Sequence, residues 1–149
     1  MPRNQLQYEH LFCLQGCRTQ EQYDVTRKGF EDGLCLFCQL DTKLNIVLFE
    51  NDGWRMWESP LAFKRKELEI HLLLVPKRHV RCEYELHSNE WLDLGTLWQW
   101  IGEKYQLEGG ATVTRFGRMD LNAGTIPHLH MNVMVPNKTG EVRAPIFKN

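Results

Sequence analysis

Two segments in the first half of the chain predict an antiparallel pair of strands. Residues 45–50 form a β-branched and apolar run, and the Asn51-Asp52-Gly53 that follows is a strong signal for a tight hairpin turn. Residues 54–58 therefore read as the partner strand. A near-continuous apolar run from His71 to Val75 ends at Pro76, which predicts a further, buried strand.

The second half of the chain combines one helical segment with two more strands. From Ser88 to about Tyr105 the apolar residues recur every three or four positions, which predicts an amphipathic helix with Ser88 as its cap. Gly109-Gly110 ends this region, and alternation then predicts strands over 111–116 and 128–135. The order of strands, one long helix and strands predicts an α+β fold with a mainly antiparallel sheet.

Length, composition and charge narrow the classes of protein that this chain can be. With 149 residues, 42% hydrophobic and 25% charged, we expect one domain with one core. Residues 1–32 are polar and weakly periodic, so we take them as an N-terminal extension and residues 33–149 as the domain. A net charge of −1 disfavours a nonspecific nucleic-acid binder.

The cysteines and histidines are numerous for a chain of this kind. There are five cysteines and six histidines, and an odd number of cysteines argues against a disulfide framework. No apolar run approaches the ~20 residues of a membrane span, and the first residues lack the apolar segment of a signal peptide. We therefore expect a cytoplasmic protein that uses these side chains for metal binding or catalysis.

The motif Cys35-x-x-Cys38 has the spacing with which two thiolates bind one tetrahedral zinc ion from a single turn. Such a site needs two more ligands, and spacing alone leaves two schemes open. His79 and His128 would complete a site of two cysteines and two histidines. Cys13 and Cys17 would instead complete a four-cysteine zinc ribbon.

The last predicted strand carries a polar face. Because side chains two apart stand ~7 Å from each other on one side of a strand, His128, His130 and Asn132 would line one groove. The loop before them, Asn122 to Thr125, contains Gly124 and could aim backbone N–H groups at an anion. A solvated polar strand face is the alternative, but the clean alternation favours a binding groove.

Three stretches of the chain together resemble the histidine-triad (HIT) superfamily of nucleotide hydrolases and transferases. Residues 71–79 resemble its His-x-Leu-Val-x-Pro-Lys-x-His segment, and residues 125–134 resemble its alternating-histidine signature with the usual Ser or Thr before it. Phe49 to Asp52 resembles the acidic end of its first strand. The resemblance covers about residues 33–136 and implies a small α+β fold, usually a homodimer.

The resemblance also implies roles for single residues. The ligands that it implies for a structural zinc ion are Cys35, Cys38, His79 and His128. The family nucleophile falls on His130, whose neutral imidazole can attack an α-phosphate and form a nucleotidyl-histidine intermediate. Thr125, Asn122 and the backbone around Gly124 would donate hydrogen bonds to the developing charge.

This chain departs from the signature at its third histidine, which is Asn132. An amide can donate to phosphate but does not titrate near neutrality, and in this the chain resembles the transferase branches, which carry Gln there. On the early hairpin, Trp57 is a candidate for stacking on a base and Glu58 for binding a ribose hydroxyl.

We therefore expect a nucleotide hydrolase or nucleotidyltransferase that acts on a nucleoside phosphate ester, anhydride or phosphoramidate, such as a dinucleoside polyphosphate. Two alternatives remain at this point. One is a non-enzymatic nucleotide-binding domain with structural zinc, motivated by Asn132. The other is a four-cysteine zinc ribbon that serves as an interaction module.

Overall fold

A five-stranded antiparallel sheet organises the part of the chain that the computed structural model describes, which comprises residues 17, 19–60, 66–122, 124–137 and 142–144. The strands lie in the order β1-β2-β3-β5-β4. Their bounds are β1 Val47–Glu50, β2 Trp54–Glu58, β3 Leu68–Pro76, β4 Ala111–Thr114 and β5 Met131–Pro136. The predicted α+β fold with a mainly antiparallel sheet is confirmed.

Three helices accompany the sheet among the described residues. Helix α1 spans Gln20–Glu31 in the N-terminal extension, α2 spans Ser88–Tyr105, and the short α3 spans Met119–Asn122. A single 3-10 turn, Glu83–Glu85, precedes α2. Within the described ranges, no helix is both long and apolar enough to cross a membrane.

The sheet buries apolar side chains on both of its faces. On one face, α2 covers the main core, whose buried members include Trp54, Met56, Leu72, Leu74, Leu97, Ile101 and Val133. On the other face, Trp57 and Val75 form a smaller core with Phe37, which lies on the turn after α1. This second face is also where alternation places His71, His130 and Asn132. The smaller core therefore packs on the same side of the sheet as these polar side chains.

The hairpin turn between β1 and β2 is anchored to α2. Asn51 accepts a hydrogen bond from the Trp54 backbone at 2.9 Å and donates one to the Asp93 carbonyl at 2.9 Å. A Cβ at Gly53 would lie 2.8 Å from the Asp93 carboxylate, so glycine lets the turn approach the helix without displacing that side chain. The predicted hairpin is confirmed, and this contact fixes it against the helix.

The ends of several predicted elements differ from the sequence analysis, and the strand predicted over 111–116 ends at Thr114. The strand predicted over 128–135 begins at Met131 instead, because the Leu129 backbone N–H donates to the Val80 carbonyl at 2.7 Å rather than to a strand of the sheet. The predicted cap of the long helix, Ser88, is its first helical residue, and His87 occupies the cap position.

Glu90 forms hydrogen bonds at the N-terminal end of α2 and links this helix to Arg78 and Trp54. Its carboxylate accepts hydrogen bonds from the His87 backbone at 2.7 Å and from Arg78 at 2.7 and 3.0 Å. Its backbone carbonyl accepts the Trp54 indole N–H at 2.8 Å. The hydrogen bonds from Arg78 hold the pKa of the nearly buried Glu90 below its ordinary value.

We predict that Glu90→Gln lowers the free energy of unfolding by about 2 kcal/mol near pH 7, because charge-assisted hydrogen bonds are lost. A depressed folded-state pKa stabilises the protein above the unfolded pKa, so the difference from wild type should vanish as the pH falls through the folded pKa. Urea denaturation at about pH 7 and about pH 3 measures this. An equal loss in Glu103→Gln, on the exposed face of α2, would contradict the assignment.

Candidate functional site

Four metal-ligating side chains converge at the edge of the second sheet face. Cys35 and Cys38 lie on the turn after α1, His79 follows β3, and His128 precedes β5. Their ligand atoms all lie within 4.8 Å of one another. The Sγ atom of Cys38 lies 3.2 Å from Nδ1 of His79 and 3.5 Å from Nδ1 of His128. Ligand atoms around tetrahedral zinc stand ~3.3–3.8 Å apart, so the spacing and the donor set fit that ion.

The ring of His128 is oriented for metal binding by a hydrogen bond on its far side. Nε2 lies 2.8 Å from the carbonyl oxygen of Pro76, which can only accept, so Nε2 carries the ring proton. The lone pair of Nδ1 is therefore directed toward the sulfur atoms, with Cys35 Sγ at 3.3 Å. A buried carbonyl that fixes the tautomer of a histidine is the usual outer support of a metal ligand.

The two thiols differ in how readily they ionise. Burial opposes ionisation of Cys35, but the adjacent imidazoles of His128 and His79 outweigh it and lower the Cys35 pKa to about 5. Burial, together with the neighbouring charge on Cys35, raises the pKa of Cys38 to about 11. The second deprotonation therefore requires a compensating positive charge, which a divalent ion would supply.

The geometry favours one of the two ligand schemes. The cluster contains His79 and His128, and Cys17 is not part of it. Cys13, the other cysteine of the ribbon scheme, lies outside the described residues. The four-residue set implied by the resemblance is thus brought together, which spacing alone did not decide.

His130 lies two residues beyond the cluster, and one hydrogen bond fixes its tautomer. Nδ1 lies 2.8 Å from the carbonyl oxygen of His128, so Nδ1 carries the proton and Nε2 keeps a lone pair. Burial lowers the pKa of His130 to about 4, and the positive charge of Arg115 acts in the same direction. Phe37 packs edge-on against the ring with centroids 5.1 Å apart. The imidazole is thus neutral, oriented and held in place.

A cavity of about 100 Å³ opens beside His130. Its wall on the sheet side includes His71 and Asn132, and its loop side includes Gly124 and Thr125. Helix α1 of the N-terminal extension contributes a third side through the residues Gln22, Val25 and Thr26. The extension therefore shapes the site, a role that the sequence analysis did not assign to it.

Asn132 lies in this cavity with its side chain held at both ends. Its Oδ1 faces Nε2 of His71 at 2.9 Å, and its Nδ2 donates to the Val113 carbonyl at 3.2 Å. Because the amide oxygen can only accept, Nε2 of His71 is the donor. Asn132 thus links His71 on β3 to the backbone of β4. These two partners also determine which end of its amide is the oxygen and which is the nitrogen.

Asn122 holds the loop that precedes the histidine segment. It donates to the Phe116 carbonyl at 2.9 Å and accepts the Gly124 backbone N–H at 2.8 Å. A Cβ at Gly124 would lie 2.9 Å from Oδ1 of Asn122, so this close approach requires glycine. Asn122 is therefore placed to order the loop, while Gly124 and Thr125 themselves line the cavity.

The two hairpin residues predicted to bind substrate, Trp57 and Glu58, do not line the cavity. Trp57 is fully buried, with its ring edge-on to Phe37 at 5.5 Å, and so has no exposed surface for stacking on a base. Glu58 is exposed and acts on Tyr105, whose pKa is raised by burial and by this carboxylate. As a correction to the sequence analysis, neither is carried into the proposal below.

Sequence reasoning missed much of the cavity lining, including His71 and Arg115. His71 had been assigned only to a buried strand. Arg115 lies one position beyond β4, next to the terminal pair of Thr114 with Met131, and His130 lies on the other side of that pair. The alternation of residues 111–116 predicts which side of the sheet Arg115 is on. Placing Arg115 near His130 also requires the register between the two strands.

Comparisons with known proteins agree on the fold. No protein-family profile and no curated protein matches the sequence. Solved structures do match. A histidine triad nucleotide-binding protein from Candida albicans is 17% identical, with a TM-score of 0.57 over 74% of this chain and 82% of that one. A HIT family hydrolase from Clostridium thermocellum is 19% identical, with a TM-score of 0.54 over 72% and 95%.

A third match is described as a zinc-bound histidine triad family protein from Mycobacterium smegmatis. It is 20% identical, with a TM-score of 0.51 over 76% of this chain and 82% of that chain. Sequence identities this low support a shared fold, and the activity has to be inferred from the residues of the site. The protein described here therefore has the histidine-triad fold.

Proposed function

We propose that the protein is a HIT-family nucleotide hydrolase or nucleotidyltransferase that acts through His130 on a nucleoside phosphate ester, anhydride or phosphoramidate. One observation carries this proposal. The hydrogen bond of 2.8 Å from Nδ1 of His130 to the His128 carbonyl leaves Nε2 as a neutral nucleophile at the cavity.

The reaction proceeds in two displacements at one phosphorus atom. Nε2 of His130 forms a bond to the α-phosphorus while the bond from phosphorus to the leaving group breaks, and the electron pair departs with the leaving group, which takes a proton from solvent when it is an amine or an alcohol. Water, phosphate or a second nucleotide then attacks the same phosphorus, and the electron pair of the P–N bond returns to Nε2. When water is the acceptor, it releases one proton to solvent and the reaction is hydrolysis.

The hydrogen bond at Nδ1 serves both steps. Once Nε2 is bonded to phosphorus, the ring carries a positive charge, and the His128 carbonyl dipole stabilises the Nδ1–H that shares this charge. On the loop side, the Thr125 hydroxyl is proposed to donate to the phosphoryl oxygens, while Gly124, whose backbone N–H is donated to Asn122, is proposed to keep the loop in position. Asn132 is proposed to keep these groups in register through its bonds to His71 and Val113.

We propose a structural zinc ion held by Cys35, Cys38, His79 and His128. When bound, the ion would supply a crosslink between the turn after α1 and the segments that follow β3 and precede β5. The support is the donor set and the ligand-atom separations within 4.8 Å. A cytoplasmic location and a homodimer, which the thiols and the resemblance suggest, remain predictions of the proposal.

A second candidate function is nucleotide binding without turnover. The observation that favours it is the engagement of Asn132, which stands in place of a titratable histidine and is bonded to His71 at 2.9 Å. Both candidates share the cavity and the zinc site. They differ only in whether His130 forms a covalent bond with substrate.

We predict that His130→Ala lowers kcat by about a thousandfold or more on a panel of nucleoside phosphoramidates and dinucleoside polyphosphates, because the nucleophile is removed. The variant should fold and retain zinc. His87→Ala, which removes an exposed histidine outside the cavity, is the matched control and should keep full activity. Wild-type turnover in the His130 variant would refute the nucleophile, and binding without turnover in wild type would favour the second function.

We predict one zinc ion per chain in the purified protein. Cys35→Ser should lose it and unfold at a lower temperature, because a crosslink of three segments is removed. The double change Cys13→Ser and Cys17→Ser should retain the ion. Metal content by mass spectrometry measures all three proteins. Loss of zinc from the double variant, with retention in Cys35→Ser, would restore the zinc-ribbon reading.

A further inference from the structure

Arg115 and the proposed nucleophile leave the sheet at the same end of one strand pair. The register of β4 with β5 pairs Thr112 with Val133, Val113 with Asn132 and, as its terminal pair, Thr114 with Met131. Arg115 directly follows this terminal pair in sequence and His130 directly precedes it. Both side chains line the cavity.

Arg115 brings a positive charge to the cavity. Among the described residues that line it, Arg115 alone carries a permanent charge, and none of them bears a carboxylate. The remaining polar lining consists of hydroxyl, amide and imidazole groups. A partly buried cation in such surroundings attracts an anion more strongly than it would in water.

The guanidinium suits a phosphoryl group in shape as well as in charge. Its planar fork donates paired N–H groups that match two oxygens of a phosphate. A cavity of about 100 Å³ holds a group of that size, whereas whole small-molecule pockets measure ~300 Å³ or more. The charged part of a substrate therefore fits beside Arg115, and the nucleoside extends outward.

The chemistry of the leaving group decides between two substrate classes. The leaving group of a phosphoric anhydride departs as a phosphate anion, which needs a counter-charge and no proton. The amine of a phosphoramidate departs only after it gains a proton. The described residues of the cavity supply the counter-charge in Arg115 and contain no carboxylic acid, and the imidazole that lines it besides the nucleophile, His71, already donates its Nε2–H to Asn132.

We propose that Arg115 is a specificity-determining residue, which binds the phosphate oxygens of the substrate beside His130 and selects nucleoside polyphosphates over nucleoside phosphoramidates. The inference rests on the proposed function. As the P–Nε2 bond forms, the bond from phosphorus to the bridging oxygen breaks, and that oxygen keeps the electron pair. Arg115 offsets the negative charge that the departing phosphate gains.

Kinetics on two matched substrates test this inference. We expect Arg115→Gln to lower kcat/KM for a dinucleoside polyphosphate by about 100-fold, and for a phosphoramidate of the same nucleoside by less than about 10-fold. Arg115→Lys should recover part of the loss, because it restores the charge without the fork. Arg118→Gln removes an exposed arginine outside the cavity and should change neither value beyond about twofold.

The outcomes separate the inference from the proposed function. An equal loss on both substrates, or no loss, would overturn the specificity role of Arg115. If wild type turns over neither substrate, the proposed function fails, and calorimetry with inorganic pyrophosphate then tests Arg115 directly. Binding that weakens at least about 10-fold in Arg115→Gln, at unchanged thermal stability, supports the anion site. Equal binding by both proteins overturns it.

Discussion

The hydrogen bonds of His128 are the constraint on which the site depends. Its ring donates to the Pro76 carbonyl and turns Nδ1 toward two sulfur atoms, while its own carbonyl accepts the ring proton of His130. One residue therefore sets the tautomer of a proposed metal ligand and of the proposed nucleophile. Displacement of this backbone would disturb both at once, so the cluster of cysteines and histidines and the His130 imidazole form a single mechanical unit.

The fold supplies rigid support for that unit from two sides. Helix α2 and the main core fix the first face of the sheet, and the Phe37 cluster fills the second face beneath the histidines. Phe37 contacts both His128 and His130 edge-on, at 5.8 and 5.1 Å between ring centroids. Because Phe37 lies between the two cysteines in sequence, the turn that carries Cys35 and Cys38 also packs against His130.

Local patterns of the sequence predicted the strands, the long helix and a common side for His130 and Asn132, because these follow from residue periodicity. His128, predicted on the same strand face, instead precedes β5 and joins the cysteine cluster, because the chain leaves the sheet before Met131. Spacing could not choose between the histidine and cysteine ligand schemes, since that choice depends on which segments meet in space. The same limit explains the misassignment of Trp57, whose burial depends on the turn after α1. Arg115 escaped notice because its position beside His130 depends on how β4 and β5 pair.

The proposed reaction requires a covalent bond between Nε2 of His130 and phosphorus. Trapping that bond is the most direct test of the proposed function. The zinc-loaded protein would be mixed with pooled dinucleoside polyphosphates and phosphoramidates, quenched in alkali within seconds, and measured by intact and peptide mass spectrometry. The account predicts one nucleotidyl group per chain, on the peptide that contains His130. Turnover of substrate with the adduct on another residue, or with nucleotide transferred in a single displacement without an adduct, would contradict it.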